Sequence, residues 1–471
     1  MLILQSEGAR TGTRCVQNDM KHIIIAITAL LLLALPAGAQ TNILGIDDGD
    51  ATTVGIYIKD LSDGKVLADH NSRLALTPAS VTKSVTSATA LMLLGPDFRF
   101  TTTAGLTGRR SPSDRTRWEG DIVVRGSGDP TLESSEFKSV RGFTDSIVAA
   151  VRRLGITSIT GKVTVIDDMK DAGQIPNWEC EDIAWPYGAG LYGFNYRGNY
   201  VKAYPDKGST SPASTLKIKV NTWSETSVDQ LRGINDDNLT VWASARTRRN
   251  KDWSINSSNP SPAYSFVAAL TDALRAAGIS TGPKAVTARG AAPTVIYTHR
   301  SPAARYILRN LMKRSDNLFA EGMLRALVPD GSRDDCIETE QDFWRENGLN
   351  VKSTVILDGS GLARADRFSP RFLAAVLEYM AASRYAEIYA DFFPVAGIDG
   401  TLKSFGAKTS LKGRIAMKTG SISGVQTYAG YRLDRSGHPT HVVVIMVNGF
   451  FCSRAALKDR ITKYLLNIFK Q

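Results

Sequence analysis

Apolar and polar positions alternate over Thr53-Val54-Gly55-Ile56-Tyr57-Ile58-Lys59 and again over Lys65–Ala68, with the turn signal Ser62-Asp63-Gly64 between them. This spacing predicts a β-hairpin. Next comes a run dominated by apolar and small residues, Val81 to Leu94, preceded by Pro78 and stopped by Gly95-Pro96, which predicts a helix with Ser80 at its start. Beyond Phe98-Arg99-Phe100 the texture changes to short Thr-, Gly- and Ser-rich segments. A helix is predicted from Phe143 to Leu154, a strand from Gly161 to Asp167, an alternating all-β stretch from Asn199 to about Ser244, and a helix from Pro262 to Gly278. Two helical patterns within 301–327 meet at Arg314-Ser315-Asp316-Asn317, and another runs from Pro370 to Ala382. Three strands follow, Arg414–Gly420, Val425–Leu433 and His441–Val447, and then a basic amphipathic helix from Ser453 to Lys470. Two strands near one end of the chain and three near the other suggest one five-stranded antiparallel sheet flanked by helices, with the middle of the chain inserted into it. The fold class is α/β of the α+β kind, and the insertion is expected to be mainly β.

The first residues read differently. Met20-Lys21-His22 leads into the apolar stretch Ile23–Leu35, and Pro36-Ala37-Gly38-Ala39-Gln40 offers an Ala-x-Ala cleavage site, the pattern of a secretory signal peptide. The apolar stretch is short for a membrane span, an uncleaved anchor being the other reading, and residues 1–19 read as an upstream extension. Export argues against nucleic acid as the partner for a chain of net charge +11, whose basic residues are scattered; an anionic envelope polymer, with loose association at the membrane surface, suits that charge better, and a merely soluble basic surface is the equal alternative. After cleavage Cys180, Cys336 and Cys452 remain, so at most one intrachain disulfide is expected and a disulfide scaffold is excluded. No Cys-x-x-Cys or paired-histidine spacing suggests a metal, and no cofactor is implied. Trp178, Trp185, Tyr187, Tyr192 and Tyr196 read first as core, with a saccharide or peptide platform as the alternative.

The chemistry begins at Ser80-x-x-Lys83. Residues three apart share a helix face, so the lysine amine can reach the serine hydroxyl beside a helix N-terminus, which favours developing negative charge. Ser62/Lys65, Ser135/Lys138 and Ser214/Lys217 have the same spacing, but none opens an apolar helix. Ser315-Asp316-Asn317 lies at a helix junction, where its serine and asparagine could equally be capping groups. Lys418-Thr419-Gly420 ends a predicted strand. Gly126-Ser127-Gly128-Asp129-Pro130 does not complete a nucleotide-binding fingerprint and reads as a turn, with a substrate-facing Asp129 as the alternative. Each signal is weak alone, yet the three motifs occur in the required order and context, the signature of penicillin-recognising serine acyl-enzymes.

With the long spacer between Lys83 and Ser315, Asp358-Gly359-Ser360-Gly361-Leu362 and Gly397-Ile398-Asp399-Gly400-Thr401-Leu402, the chain resembles the D-alanyl-D-alanine carboxypeptidase/endopeptidase family of penicillin-binding proteins, peptidase family S13. The resemblance implies a transpeptidase-like catalytic domain in two parts, 40–100 and 283–471, around inserted domains at 101–282, after an extension and signal peptide at 1–39. It implies release of the terminal D-Ala from peptidoglycan stem peptides, cleavage of D-Ala–diaminopimelate cross-links, or both, with inhibition by β-lactams. Carried over, Ser80 is the nucleophile, Lys83 its base, Ser315 the proton relay to the leaving amine and Asn317 a peptide-holding group. Lys418 and Thr419 would bind the terminal carboxylate. The N–H groups of Ser80 and Ser421, the residue after Gly420, are the expected oxyanion hole. A β-lactamase or esterase with the same acylating groups, and a non-catalytic peptidoglycan-binding protein, are the competing readings.

Overall fold

The computed structural model describes residues 43–46, 52–222, 228–233, 239–249, 252–287 and 292–470. The leader, expected at 1–39, lies outside them. Val442, Val444 and Met446 on one face of the strand Pro439–Asn448, and Val443, Ile445 and Val447 on the other, are all fully buried. A strand apolar on both faces belongs in the middle of a covered sheet. This one does: the order is Ile415–Ile422, Val425–Leu433, Pro439–Asn448, Thr53–Asp60, Val66–His70, every pair antiparallel. The N-terminal hairpin joins the C-terminal strands through Thr53↔Asn448 to Asp60↔His441.

Val85, Ala88 and Leu91 of the helix Thr82–Leu94 share a core with Phe372, Leu373 and Leu377 of the helix Pro370–Ala381 and with Val442, Val444 and Met446. The sequence suggested one apolar face for the first of these helices, but it is buried all round from Thr82 to Leu91. Three of its polar side chains tolerate this because they bond to carbonyls: Ser84 Oγ to Val81 O at 2.5 Å, Thr89 Oγ1 to Val85 O at 3.0 Å and Thr86 Oγ1 to Gly359 O at 2.9 Å. A helix enclosed on every side is a rigid mount for its first turn.

The middle of the chain builds a second five-stranded sheet, ordered Lys284–Thr287, Val163–Ile166, Ile122–Arg125, Thr101–Leu106, Thr294–Arg300, with parallel and antiparallel pairs. The helices Phe143–Arg153 and Pro262–Ala276, both expected from the sequence, pack their apolar stripes with it. Two three-stranded sheets account for the alternating stretch after Asn199. Pairing also continues past residue 282, the expected limit, because Thr294–Arg300 closes the sheet that Thr101–Leu106 begins. Gly282-Pro283 lies within the block, bonded to Gly161 and Val163 just ahead of the strand Lys284–Thr287, and the chain leaves the block only after Arg300. There Ser301 N donates to Phe100 O at 3.1 Å, and Phe100 N to Ser301 Oγ at 2.9 Å, tying the two ends together.

The described residues from Thr52 onward form one compact unit. The middle block and the remainder of the unit share a small core in which Ile175, Trp178, Ile183 and Leu191 meet Leu318, Leu362 and Ala363. Cys180, Cys336 and Cys452 are all free thiols.

Candidate active site

Ser80 sits in the single 3-10 turn Ala79–Val81 that leads into the helix Thr82–Leu94. The turn is strained. Ala79 has φ 48°, a left-handed conformation that costs a non-glycine residue about 1–3 kcal/mol. Three contacts hold it: Thr82 Oγ1 donates to Ala79 O at 3.0 Å, Thr427 Oγ1 donates to Pro78 O at 2.6 Å, and Gly361 lies so close that a Cβ there would stand 2.0 Å from Ala79 O.

Lys83 Nζ lies 2.9 Å from Ser80 Oγ, 2.6 Å from Asn317 Oδ1 and 2.6 Å from the Ser360 carbonyl. The lysine is fully buried. Burial pulls its pKa from 10.5 to about 8, opposed by the charges of Asp358, Glu321, Asp316 and Asp366. When it is neutral, its two N–H donors are claimed by Asn317 and Ser360, which leaves the lone pair directed at the Ser80 hydroxyl.

The Ser360 carbonyl is itself a built feature. Asp358 accepts N–H bonds from Ser360 at 3.1 Å, Leu362 at 3.0 Å and Ala363 at 2.8 Å, another from Gly361, and one from Trp178 Nε1 at 2.7 Å. Glu321 holds the same loop from the other side, accepting from Gly359 N at 3.0 Å while paired with Arg333 at 2.8 Å.

At the helix junction, Asp316 rather than Ser315 or Asn317 is the cap: its Oδ1 accepts from Phe319 N at 2.9 Å. That frees the flanking residues. Asn317 donates to the carbonyl of Tyr187, brought from the middle block, at 2.8 Å while accepting from Lys83. Ser315, at φ 64°, accepts from Lys418 Nζ at 2.9 Å.

Lys418 differs from expectation. It is fully buried, donates also to Thr419 O at 2.6 Å, and is held well below its ordinary pKa by burial and then by the neighbouring Lys83. Side chains alternate along its strand, so Lys418 and Gly420 point inward while Thr419 and Ser421 face the cleft. Lys418 is therefore placed to orient Ser315, not to touch a carboxylate in the cleft. Gly420 is required by close approach, because a Cβ there would meet Thr427 Oγ1 at 2.2 Å, Pro78 O at 2.6 Å and Ser80 N at 3.0 Å.

The cleft has a volume of about 510 Å³ and is lined by Ser80, Ser315, Thr401, Thr419 and Ser421, among others. Thr419 Oγ1 lies 2.8 Å from Thr401 Oγ1, and Ser421 Oγ donates to Gln426 Oε1 at 2.8 Å.

Asp129 does not line this cleft. It is 2% exposed and closes its own turn, accepting from Thr131 N at 2.8 Å and Thr131 Oγ1 at 2.7 Å. The substrate-facing alternative is thus replaced by an Asx turn, the ordinary use of Asp before Pro-Thr. Among the aromatics, Trp178 and Tyr196 are core, whereas Trp185 and Tyr187 stack with centroids 6.4 Å apart where Asn317 meets the middle block. Arg454 and Lys458, at the mouth of the cleft, carried no motif that would have singled them out.

The match to known proteins extends over most of the chain. The chain is 25% identical over 465 residues, 92% of it and 94% of the relative, to D-alanyl-D-alanine carboxypeptidase DacB of Haemophilus influenzae. The crystal structure of penicillin binding protein 4 from Haemophilus influenzae superposes with a TM-score of 0.76 at 22% identity, covering 91% of this chain and 98% of that one. A second structure of that protein, complexed with a novel β-lactam, gives a TM-score of 0.70 at 23% identity over 89% of this chain and 96% of that one. The model of the D-Ala-D-Ala carboxypeptidase 3 (S13) family matches residues 45–466, and this chain belongs to that family.

Proposed function

We propose that Ser80 attacks the carbonyl carbon of the penultimate D-alanine of a peptidoglycan stem peptide and forms an acyl-enzyme. The observation that carries this reading is the fully buried Lys83 amine 2.9 Å from Ser80 Oγ, with its other two bonds fixed. Lys83 takes the hydroxyl proton as the Oγ–C bond forms. The tetrahedral oxyanion is received by the N–H groups of Ser80 and Ser421, close together because Gly420 packs on the Ser80 turn. Ser315, oriented by Lys418, passes a proton to the leaving nitrogen as the C–N bond breaks, and Asn317 holds the peptide. Water then hydrolyses the Ser80 ester. Ile415–Ile422 is an edge strand, covered by Pro394–Ala396 only at its first half, so among the described residues the stretch from Lys418 to Ile422 has no strand paired on its outer side and can receive an extended peptide there.

The same arrangement accounts for β-lactam binding, since a strained amide would acylate Ser80 by the same steps. Residues 101–300 act as an inserted block whose ends meet at Phe100 and Ser301 and which contributes Tyr187 and Trp178 to the site. Export through the leader, and loose envelope association through the basic terminal helix, complete the reading; among the described residues no helix is long and apolar enough to cross a membrane. Digesting purified muropeptides with the protein tests it. Loss of the terminal D-Ala from pentapeptides, of D-Ala–diaminopimelate cross-links, or of both is expected, and an unchanged muropeptide profile would overturn it.

A further inference from the structure

The cleft over Ser80 carries hydroxyl groups and two cations, Arg454 and Lys458, and no acidic side chain lines it. Both cations come from the helix Arg454–Ile468. Their partners are uncharged: Arg454 donates to Ile422 O at 2.6 Å, Val425 O at 3.1 Å and Gln426 Oε1 at 3.2 Å, and Lys458 Nζ to Ser404 Oγ at 2.6 Å. Arg454 is thus fixed to the turn that joins the edge strand to its neighbour. Gln426 links it to the Ser421 hydroxyl, on the strand face that also presents Thr419. Lys418, the cation that motif reasoning assigns to the substrate's carboxylate, is turned inward onto Ser315.

We infer that Arg454 and Lys458, together with the Thr419 hydroxyl, hold the free α-carboxylate of the substrate's terminal D-alanine, and that they, not Lys418, make the site select peptides with a free C-terminus. This rests on the proposed acyl-transfer reading of the cleft and adds its recognition element. A carboxylate entering here replaces water around two fixed cations with charge-assisted hydrogen bonds, which discriminate by about ten- to a hundredfold against a neutral terminus. The uncharged end of an amidated peptide gains none of this.

The test measures binding, so that it does not depend on turnover. In the full chain carrying Ser80→Ala, calorimetry compares diacetyl-L-lysyl-D-alanyl-D-alanine with its C-terminal amide. The acid should bind at least about tenfold tighter than the amide, Arg454→Ala should cut that ratio about tenfold, and Arg454→Lys should restore part of it. Lys458→Ala, which removes the Ser404 bond and the contact with the Phe405 ring but leaves the turn's own bonds in place, should also lower the ratio and covers the case in which removing Arg454 loosens the turn. Ratios unchanged in both variants, or equal losses for acid and amide, would overturn the assignment. Absence of D-Ala release by the unmodified protein would instead overturn the acyl-transfer reading and leave the acid-to-amide ratio as informative as before.

Discussion

Lowering the pH from 8 to 6 should slow acylation of Ser80 by up to about fiftyfold. Only neutral Lys83 can accept the hydroxyl proton. With its pKa near 8, about a tenth of the lysine is neutral at pH 7; at the ordinary value of 10.5 the neutral fraction would be roughly three-hundredfold smaller. Burial beneath the Ser80 turn supplies that gain, while Asp358 and Glu321 pull the other way. Glu321, its pKa raised to about 7 by burial, ionises in the same range and draws the lysine pKa upward as it does so. The profile should therefore rise with a slope somewhat under one and bend near pH 8. The assay is the second-order rate of adduct formation with a fluorescent penicillin, followed by stopped flow from pH 5.5 to 10. Lys83→Arg, which stays protonated throughout, should abolish the reaction. A rate that is flat between pH 6 and 8, or one still climbing at pH 10, would refute the assignment of Lys83 as a desolvated base.

Gly420→Ala places a methyl group 2.2 Å from Thr427 Oγ1 and 2.6 Å from Pro78 O, so it should push the edge strand off the Ser80 turn. The expected loss is about a hundredfold in acylation rate and about 1–3 kcal/mol in stability, and a near-normal rate would contradict the seam described above. Trp178→Phe removes a donor from the buried Asp358, about 1.5–3 kcal/mol, and should slow acylation through the Ser360 carbonyl although residue 178 is remote in sequence from every motif. Unaltered kinetics and stability would argue that the loop stands without the middle block. Glu340 is fully buried and its pKa is raised by burial from 4.5 to about 8, so the folded protein keeps a proton that the unfolded chain releases. Stability should fall as pH rises from 4.5 to 8, and Glu340→Gln should flatten that decline in urea unfolding; parallel curves for the two proteins would exclude the effect.

Much of this was readable from sequence because local pattern carried it. The run of small and apolar residues after Ser80 made a helix, and the alternation from Val425 to Leu433 made a strand with those same limits. The order of three short motifs singled out one of four Ser-x-x-Lys pairs, and the fold brings that pair's side chains to 2.9 Å; the Ser62 hydroxyl, by contrast, bonds to Asp60 in an exposed turn. Contacts that depend on distant segments were not readable. Nothing near Asn317 indicates that the Tyr187 carbonyl, 130 positions earlier, will accept its amide, and nothing in Lys-Thr-Gly says the lysine faces inward. The limit of the insertion was misplaced because Gly282-Pro283 reads as a break, whereas the pairing of Thr294–Arg300 with Thr101–Leu106 is visible only in the folded sheet. Arg454 and Lys458 read as the charged face of an amphipathic helix, which they also are.

The most direct test of the account is to find which serine becomes acylated. Brief exposure of the full chain to penicillin, followed by proteolysis and mass spectrometry, should place a single penicilloyl adduct on the peptide containing Ser80, and Ser80→Ala should eliminate it. An adduct on Ser62, Ser135 or Ser214, or none at all on protein that remains folded, would contradict the reading of Ser80 and Lys83 as the acylating pair.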